Sequence, residues 1–375
     1  MTPTGKTQRN YGLIGCGRFG RFCLEQLRGW PRMRAVAATD AAPALAEGVA
    51  RDFGLRACAD VVELLAREDI DLVWISTPPD THYALTLLAL RAGKHVICEK
   101  PIALSLKQAD EMLAAAEKAG RLLAVNHMLR YSPLTEVAKR VVEESLLGEP
   151  RHYFFENYAE DERLPAGHWF WDRKRSGGIF IEHAVHFFDL YRWWLGPGEI
   201  LSAQTASRPG PGQIDCAECS LRHGEVLGRQ YHGFDQPVRL DRADHRLVFE
   251  RGDISIAGWI PVELRLDGIV DDEQQARLGE ICRAGHLEIT ERYEGDRQVC
   301  RSHGKEYRVT ARIALEKSLQ QEDRAAVYGN MIKALLEDQL RSLEEPGYVP
   351  RLTGRDAREA LALAEAAVGK AQTLQ

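Results

Sequence analysis

The 375-residue sequence has no apolar run approaching the roughly 18 residues that cross a bilayer. It has no excess of positive charge either, with 49 lysines and arginines against 55 aspartates and glutamates. The first absence argues against a membrane partner, and the second against a nucleic-acid partner, which would need a basic surface. Organised cysteine is also missing. The 8 cysteines are scattered through apolar runs, and only Cys216 and Cys219, in "DCAECSLRHG", have CxxC spacing. No second CxxC or paired histidines complete a zinc site, and the segment alternates like a strand, so free thiols in a reducing compartment are expected. The opening "MTPTGKTQRN" is a polar arm without the apolar core of a signal peptide, and a cytoplasmic location is expected. What remains is an ordinary globular composition, 45% hydrophobic and 28% charged, on a chain too long for one core. Two domains are therefore expected.

The first third alternates short apolar strands with amphipathic helices. "YGLI" leads into "GCGRFGRFCLEQL", then come strand "RAVAATD", helices through "ALAEGVARDF" and "VVELLARED", strand "LVWIS", helix "HYALTLLALRAG" and strand "HVIC". This is the βαβ rhythm of an α/β Rossmann domain with a doubly wound parallel sheet, assigned to residues 1–127. Ser105 and Gln108 have capping-box spacing ahead of a helix whose Ala109, Met112, Leu113 and Ala116 share an apolar face, and "LLAV" closes the domain. Residues 128–375 read as an α+β domain with an open, mostly antiparallel sheet and closing C-terminal helices, "AVYGNMIKALLEDQL" and "GRDAREALALAEAAVGKA".

Gly15, Gly17 and Gly20 form GxGxxG, with Arg18 and Phe19 between, at a strand-to-helix junction. Such a turn lets the backbone approach a pyrophosphate at a helix N-terminus. Asp40 ends the second strand, where a carboxylate bonds ribose hydroxyls or, alternatively, caps a helix. Its neighbours Ala41 and Ala42 offer no arginine for a 2′-phosphate, so NAD is expected over NADP unless Arg18 or Arg51 folds in. Ser76, Thr77 and Pro78 follow the fourth strand at the edge where such sheets bind ligands, and His82 is placed either at the cofactor or at the start of the next helix. Glu99 and Lys100 emerge one strand later at the same edge, with Lys100 reaching toward the nicotinamide end.

In the second half, Gly177 and Gly178 open a segment whose Glu182, His186 and Asp189 recur at helical spacing, with His183 off that face. A carboxylate one turn before an imidazole provides an acid/base with an orienting partner. "EHAVH" matches no zinc motif, and no metal is expected.

The glycine motif, "STPPDTHY", "CEKP", "HMLRYSP" and "SGGIFIEHAVHFFDLYRWWLG" together resemble the glucose-fructose oxidoreductase / inositol dehydrogenase / rhizopine-catabolism (Gfo/Idh/MocA) family over nearly the whole chain. The resemblance implies a nicotinamide-dependent oxidoreductase acting on a sugar, cyclitol or sugar derivative. It also implies Lys100 and His186 as the catalytic pair with Glu182 in the acidic position, and a homo-oligomer, dimer or tetramer. The sequence departs from the family in having Glu182 where aspartate is usual, Ala184 for glycine, and Ser176 for the first of three glycines. A cis bond before Pro101 is expected. His127, Arg130, Tyr158, His168, Trp169, Asp172, Lys174 and His183 are candidate polyol contacts, each with a structural alternative. Two other readings stay open: a NAD-dependent glycosidase using transient oxidation and elimination, and a non-catalytic dinucleotide-binding regulator, which would need neither Lys100 nor His186.

Overall fold

The computed structural model describes residues 8–208 and 213–374, so most of the polar N-terminal arm lies outside the described residues. The chain begins with β1 (Arg9–Ile14), α1 (Arg18–Leu27), β2 (Met33–Thr39), α2 (Pro43–Phe53), β3 (Arg56–Ala57), α3 (Val61–Leu65), β4 (Leu72–Ile75), α4 (His82–Arg91), β5 (His95–Cys98), α5 (Leu106–Ala119) and β6 (Leu123–Val125). It continues through α6 (Pro133–Glu143), β7 (Pro150–Glu160), α7 (Arg173–Ser176), α8 (Val185–Leu195), β8 (Glu199–Ser207), β9 (Ile214–His223), β10 (Val226–Gln236), β11 (Arg242–Phe249), β12 (Gly252–Ala257) and β13 (Glu263–Val270). Last come α9 (Asp272–Ile281), β14 (His286–Arg292), β15 (Val299–Ser302), β16 (Lys305–Arg308), β17 (Ala311–Ser318), α10 (Arg324–Glu344), α11 (Gly354–Lys370) and β18 (Ala371–Thr373). Two compact units result. The first comprises Met1–Met128, Asp172–Val185 and Tyr328–Glu365, and the second Leu129–Trp171, His186–Val327 and Ala366–Gln375.

In the first unit six parallel strands lie in the order β3-β2-β1-β4-β5-β6. Every residue of β4 is buried, as a strand covered by helices on both faces requires. The two-residue β3 is absent from the sequence reading because so short a strand has no period to read. The Ser105 side chain accepts from the Gln108 N–H at 3.3 Å, but Gln108 reaches back to the Leu104 N–H at 3.2 Å, so the expected box closes one residue further out. Ala109, Met112 and Ala116 make the buried face of α5, with Leu113 half-buried.

The closing helices differ from expectation. Much of α10 and α11 belongs to the first unit instead of the second. The Arg32 guanidinium, buried in this unit, donates to Glu337 at 2.9 Å and Glu344 at 2.8 Å, and Glu365 accepts from the Leu106 N–H at 2.7 Å. A cut at one sequence position, such as that after residue 127, cannot express an ion pair between residues 305 apart.

The second unit holds a ten-stranded open sheet, β14-β17-β13-β12-β11-β7-β10-β9-β8-β18, antiparallel except at the β7–β10 and β8–β18 pairings. Along β7, Tyr153 and Phe155 are buried while Phe154 and Glu156 are exposed on the other face. The apolar "FFDLYRWWL" of α8 covers the buried face: Tyr191 stacks on Tyr153 at 4.0 Å between ring centroids and Phe187 meets Phe155 at 3.9 Å. Trp194 Nε1 donates to the Thr135 carbonyl at 2.9 Å and joins α8 to α6. Cys216 and Cys219, three apart on β9, point to opposite faces and cannot share a metal, and all 8 cysteines are free. Among the described residues no helix is long and apolar enough to cross a membrane, and no group of three or more His, Cys, Asp or Glu side chains could hold a metal ion.

Candidate active site

The strand order of the first unit reverses between β1 and β4, and the residues after the carboxyl ends of its strands converge there. Gly15 turns the chain at φ +99°, and a Cβ on it would lie 2.3 Å from the Ser76 carbonyl oxygen. A Cβ on Gly20 would lie 2.3 Å from the Gly15 carbonyl oxygen, so α1 sits directly on the turn. Gly17 is different: a Cβ there would meet nothing within 4 Å. It is the N-cap of α1, and neither a capping side chain nor an acidic residue occupies that helix end. The first N–H groups of α1 therefore face open space of the kind a pyrophosphate fills.

Asp40 is half-exposed beside this turn. Its Oδ2 accepts from the Cys16 N–H at 2.7 Å and its Oδ1 from the Ala42 N–H at 2.8 Å. It braces the glycine turn, and Ala42, not Asp40, is the N-cap of α2. A carboxylate has about four lone-pair directions, so two main-chain bonds leave acceptor capacity for ribose hydroxyls. Arg18 is exposed at the start of α1, whereas Phe19 packs on Phe22 and Tyr328 at 6.0 and 5.9 Å between centroids.

Ser76, Thr77 and Pro78 line the end of β4, half-buried, and the Thr77 hydroxyl lies 2.6 Å from that of Thr81. His82 was expected at the cofactor or heading α4. It does begin α4, but its side chain is fully buried and both ring nitrogens face carbonyl oxygens, Nδ1 at 2.7 Å from Pro101 and Nε2 at 2.9 Å from Thr77. No part of the imidazole remains for a dinucleotide.

Glu99 is buried, and its Oε1 accepts from Trp74 Nε1 at 2.9 Å and Asn126 Nδ2 at 3.0 Å. Burial pushes its carboxyl up to about 7, against the pull of those two hydrogen bonds and the Lys100 charge. Trp74 and Asn126 escaped the sequence reading. Asn126 stands just past β6, where the strand-end rule that selected Asp40, Ser76 and Glu99 also applies.

The Lys100–Pro101 peptide is cis, as expected. The Lys100 ammonium donates to Glu182 twice, to Oε1 at 2.6 Å and to the main-chain oxygen at 2.8 Å, with the side chains 15% and 11% exposed. Glu182 arrives on the inserted segment Asp172–Val185 of the same unit. That segment starts at α7, whose N-cap Asp172 accepts from the Lys174 N–H at 2.9 Å. The Ser176 hydroxyl donates to the Asp172 carbonyl at 3.1 Å and accepts from the Gly178 N–H at 3.0 Å. Gly177 turns at φ +82°, where a Cβ would lie 2.7 Å from Ile181 Cγ2. Phe180–Ala184 then form a π-helical turn, not the uniform α-helix expected, and α8 follows. Such turns widen the hydrogen-bond ladder and occur often at functional sites.

The other candidates are spread. His127 and His183 are buried in the first unit, and Asp172 and Lys174 are exposed. In the second unit His186 is buried, with Trp259 edge-on at 4.9 Å between centroids. His168 and Trp169 are half-buried neighbours, 5.1 Å between centroids. Two expected polyol contacts are corrected by their surroundings. Arg130 is buried and engaged by fully buried Asp189, Nε to Oδ2 at 2.8 Å and Nη2 to Oδ1 at 2.7 Å. Tyr158 lies on the face of β7 opposite the one covered by α8, under the Arg242 guanidinium at 4.2 Å.

Residues 9–127 match the Gfo/Idh/MocA model described as an oxidoreductase family with an NAD-binding Rossmann fold, and residues 135–249 match the Gfo/Idh/MocA C-terminal domain. The open helix end at Gly17 and the Asp40 carboxylate fit that cofactor. An inositol 2-dehydrogenase of Rhizobium meliloti is 33% identical over 198 residues, 52% of this chain and 58% of that protein. The chain thus spans less than two thirds of the length of that relative. A 1-carboxy-3-chloro-3,4-dihydroxycyclohexa-1,5-diene dehydrogenase of Comamonas testosteroni is 30% identical over 279 residues, 71% of this chain and 68% of that protein. A solved levoglucosan dehydrogenase, in complex with NADH and levoglucosan, shares the fold at TM-score 0.75 and 21% identity, with 97% of each chain covered. With both domain models matched, the chain belongs to the Gfo/Idh/MocA oxidoreductase family.

Proposed function

We propose that the protein is a NAD-dependent dehydrogenase acting on a secondary alcohol of a sugar, cyclitol or sugar derivative. The observation that carries this reading is the Lys100–Glu182 pair at the strand-end edge that also holds the open glycine turn. A protein that only bound a dinucleotide would need no ammonium held there by two acceptors. Inositol 2-dehydrogenase as a relative supports a polyol substrate.

When bound, the nicotinamide ring supplies the hydride acceptor. Two protons of the Lys100 ammonium go to Glu182, and the third is left for the substrate oxygen, whose developing negative charge it stabilises. On the family resemblance, His186 is assigned the hydroxyl proton, taken as the carbinol C–H pair departs as hydride and the C–O bond becomes a carbonyl. The longer Glu182, in place of the family's usual aspartate, grips Lys100 with both side chain and main chain. The test is absorbance at the reduced-nicotinamide band with NAD and a panel of aldoses, cyclitols, sugar acids and glycosides. A rise with one class supports the reading. Aglycone released from a glycoside without accumulating NADH would replace it with the glycosidase reading.

We further propose a homo-oligomer, dimer or tetramer, seated on the open sheet face where Phe154 and Leu227 are 43% and 58% exposed. Sedimentation of the purified chain as a monomer would refute it. A cytoplasmic location is proposed on the free, mostly buried cysteines.

A further inference from the structure

His82 does something the dehydrogenase reading has not used. Its ring is fully buried, and two main-chain carbonyl oxygens face its two nitrogens: Pro101 at 2.7 Å from Nδ1 and Thr77 at 2.9 Å from Nε2. A neutral imidazole carries one N–H and one lone pair, and can satisfy only one of two carbonyls. The imidazolium satisfies both. The two carbonyls belong to the two turns that follow β4 and β5, the first carrying Ser76–Pro78 and the second Glu99 and Lys100.

We propose that His82 is a protonation-dependent clamp that positions Lys100. Its ring ties the Thr77 turn to the Pro101 turn, so that both walls of the cofactor-binding edge keep one geometry while both ring nitrogens carry protons. When the ring loses a proton, one nitrogen lone pair faces a carbonyl oxygen and that turn is released. Lys100, one residue before Pro101, shifts with it. The inference rests on the dehydrogenase reading only for the consequence at Lys100.

The charges around the ring oppose one another. Burial is the largest effect and holds the ring's affinity for its second proton below that of a free imidazole, and the Lys100 ammonium lowers it further, so the clamp closes on the acid side. The two carbonyl bonds and the Asp80 carboxylate raise it, and Asp80 is itself paired with Arg175 at 3.3 Å. Glu99, beside Lys100 in the β5 turn, changes charge near pH 7. The clamp therefore responds to pH and to the charge at position 100.

Histidine nitrogen NMR of the full-length protein, labelled with 15N at its 12 histidines, reads the clamp without any substrate. His82→Asn assigns the signal. Lys100→Ala gives a second assignment should that variant not fold, because removing the neighbouring charge moves the His82 titration to higher pH. The expected result is a ring that takes its second proton only below the ordinary imidazole range, with NADH affinity rising along the same titration as the pH falls. In His82→Asn, NADH binding weakens by roughly tenfold, as loss of one net hydrogen bond between the turns predicts, and its pH dependence over that range disappears. A His82 ring that stays neutral throughout the folded range overturns the proposal, as does NADH binding whose pH dependence is the same in His82→Asn. If the clamp is seen but no polyol is oxidised, the dehydrogenase reading fails while the clamp stands.

Discussion

Separating Arg130 from Asp189 tests whether this arginine serves the fold or the substrate. The pair is bidentate, with the Arg130 side chain 3% exposed and Asp189 fully buried. Removing one partner leaves the other as an uncompensated buried charge, which costs about 3–5 kcal/mol. Asp189→Asn and Arg130→Met should each destabilise the second unit by that amount and lower its unfolding temperature by roughly 6–20 °C. The double variant Arg130→Met/Asp189→Leu removes both charges and should recover most of the loss, because apolar replacement of a buried pair is often neutral or favourable by about 1–4 kcal/mol. The assay is thermal unfolding followed by the fluorescence of the 7 tryptophans, among them Trp194 against α6, together with KM for the substrate in the folded fraction. If the single variants unfold within about 0.5 kcal/mol of wild type while KM rises, Arg130 is a substrate contact and the reasoning fails.

Gly17→Ala should leave folding almost unchanged, since a Cβ there meets nothing within 4 Å, yet weaken NADH binding by roughly tenfold or more by occupying the path of the pyrophosphate; fluorescence titration checks both. Because the Glu99 carboxyl is raised above its ordinary 4.5 to about 7, the folded state keeps a proton that the unfolded state loses. Stability from this group is present below pH 4.5 and is lost as the pH rises to about 7, a change of roughly 3 kcal/mol. Glu99→Gln should therefore gain stability relative to wild type as pH rises through that window, and equal pH slopes in denaturant melts would contradict it. His232 and His245 act in the opposite sense. Burial holds both at about 3, with each other's charge a smaller cause for His232, so their contribution is present above pH 6.5 and is lost as the pH falls toward 3. Acid melts should show the second unit weakening below about pH 6, an effect reduced in His232→Gln.

Much of the first unit was legible because a parallel sheet writes itself locally. Apolar runs such as "LVWI" and "HVIC" alternate with amphipathic helices, and the glycine spacing marks the turn after β1. Lys100 was legible for the same reason, standing at the end of a buried strand. What stayed hidden depends on partners far along the chain. Period-2 alternation in β7 separates Tyr158 from Tyr153 and Phe155 but does not say which face α8 will cover. The Arg130–Asp189 pair links residues 59 apart, and α10 joins the first unit through Arg32, more than 300 residues away. The π-helical turn at Phe180–Ala184 left no mark in the spacing of Glu182 and His186, which fits an ordinary helix equally well. The two bonds of His82 could not be read at all, because their acceptors are main-chain carbonyls and carry no sequence signature.

The measurement that bears most directly on the proposed chemistry is the rate of NADH formation by Lys100→Ala and His186→Ala, on the polyol that the wild-type protein oxidises, with NADH binding measured alongside. General acid–base catalysis contributes roughly 10²–10⁴-fold. Both variants should lose turnover by about that factor while His186→Ala keeps its NADH affinity. Full turnover in both would contradict the account, and the Lys100–Glu182 pair would then be a structural contact only.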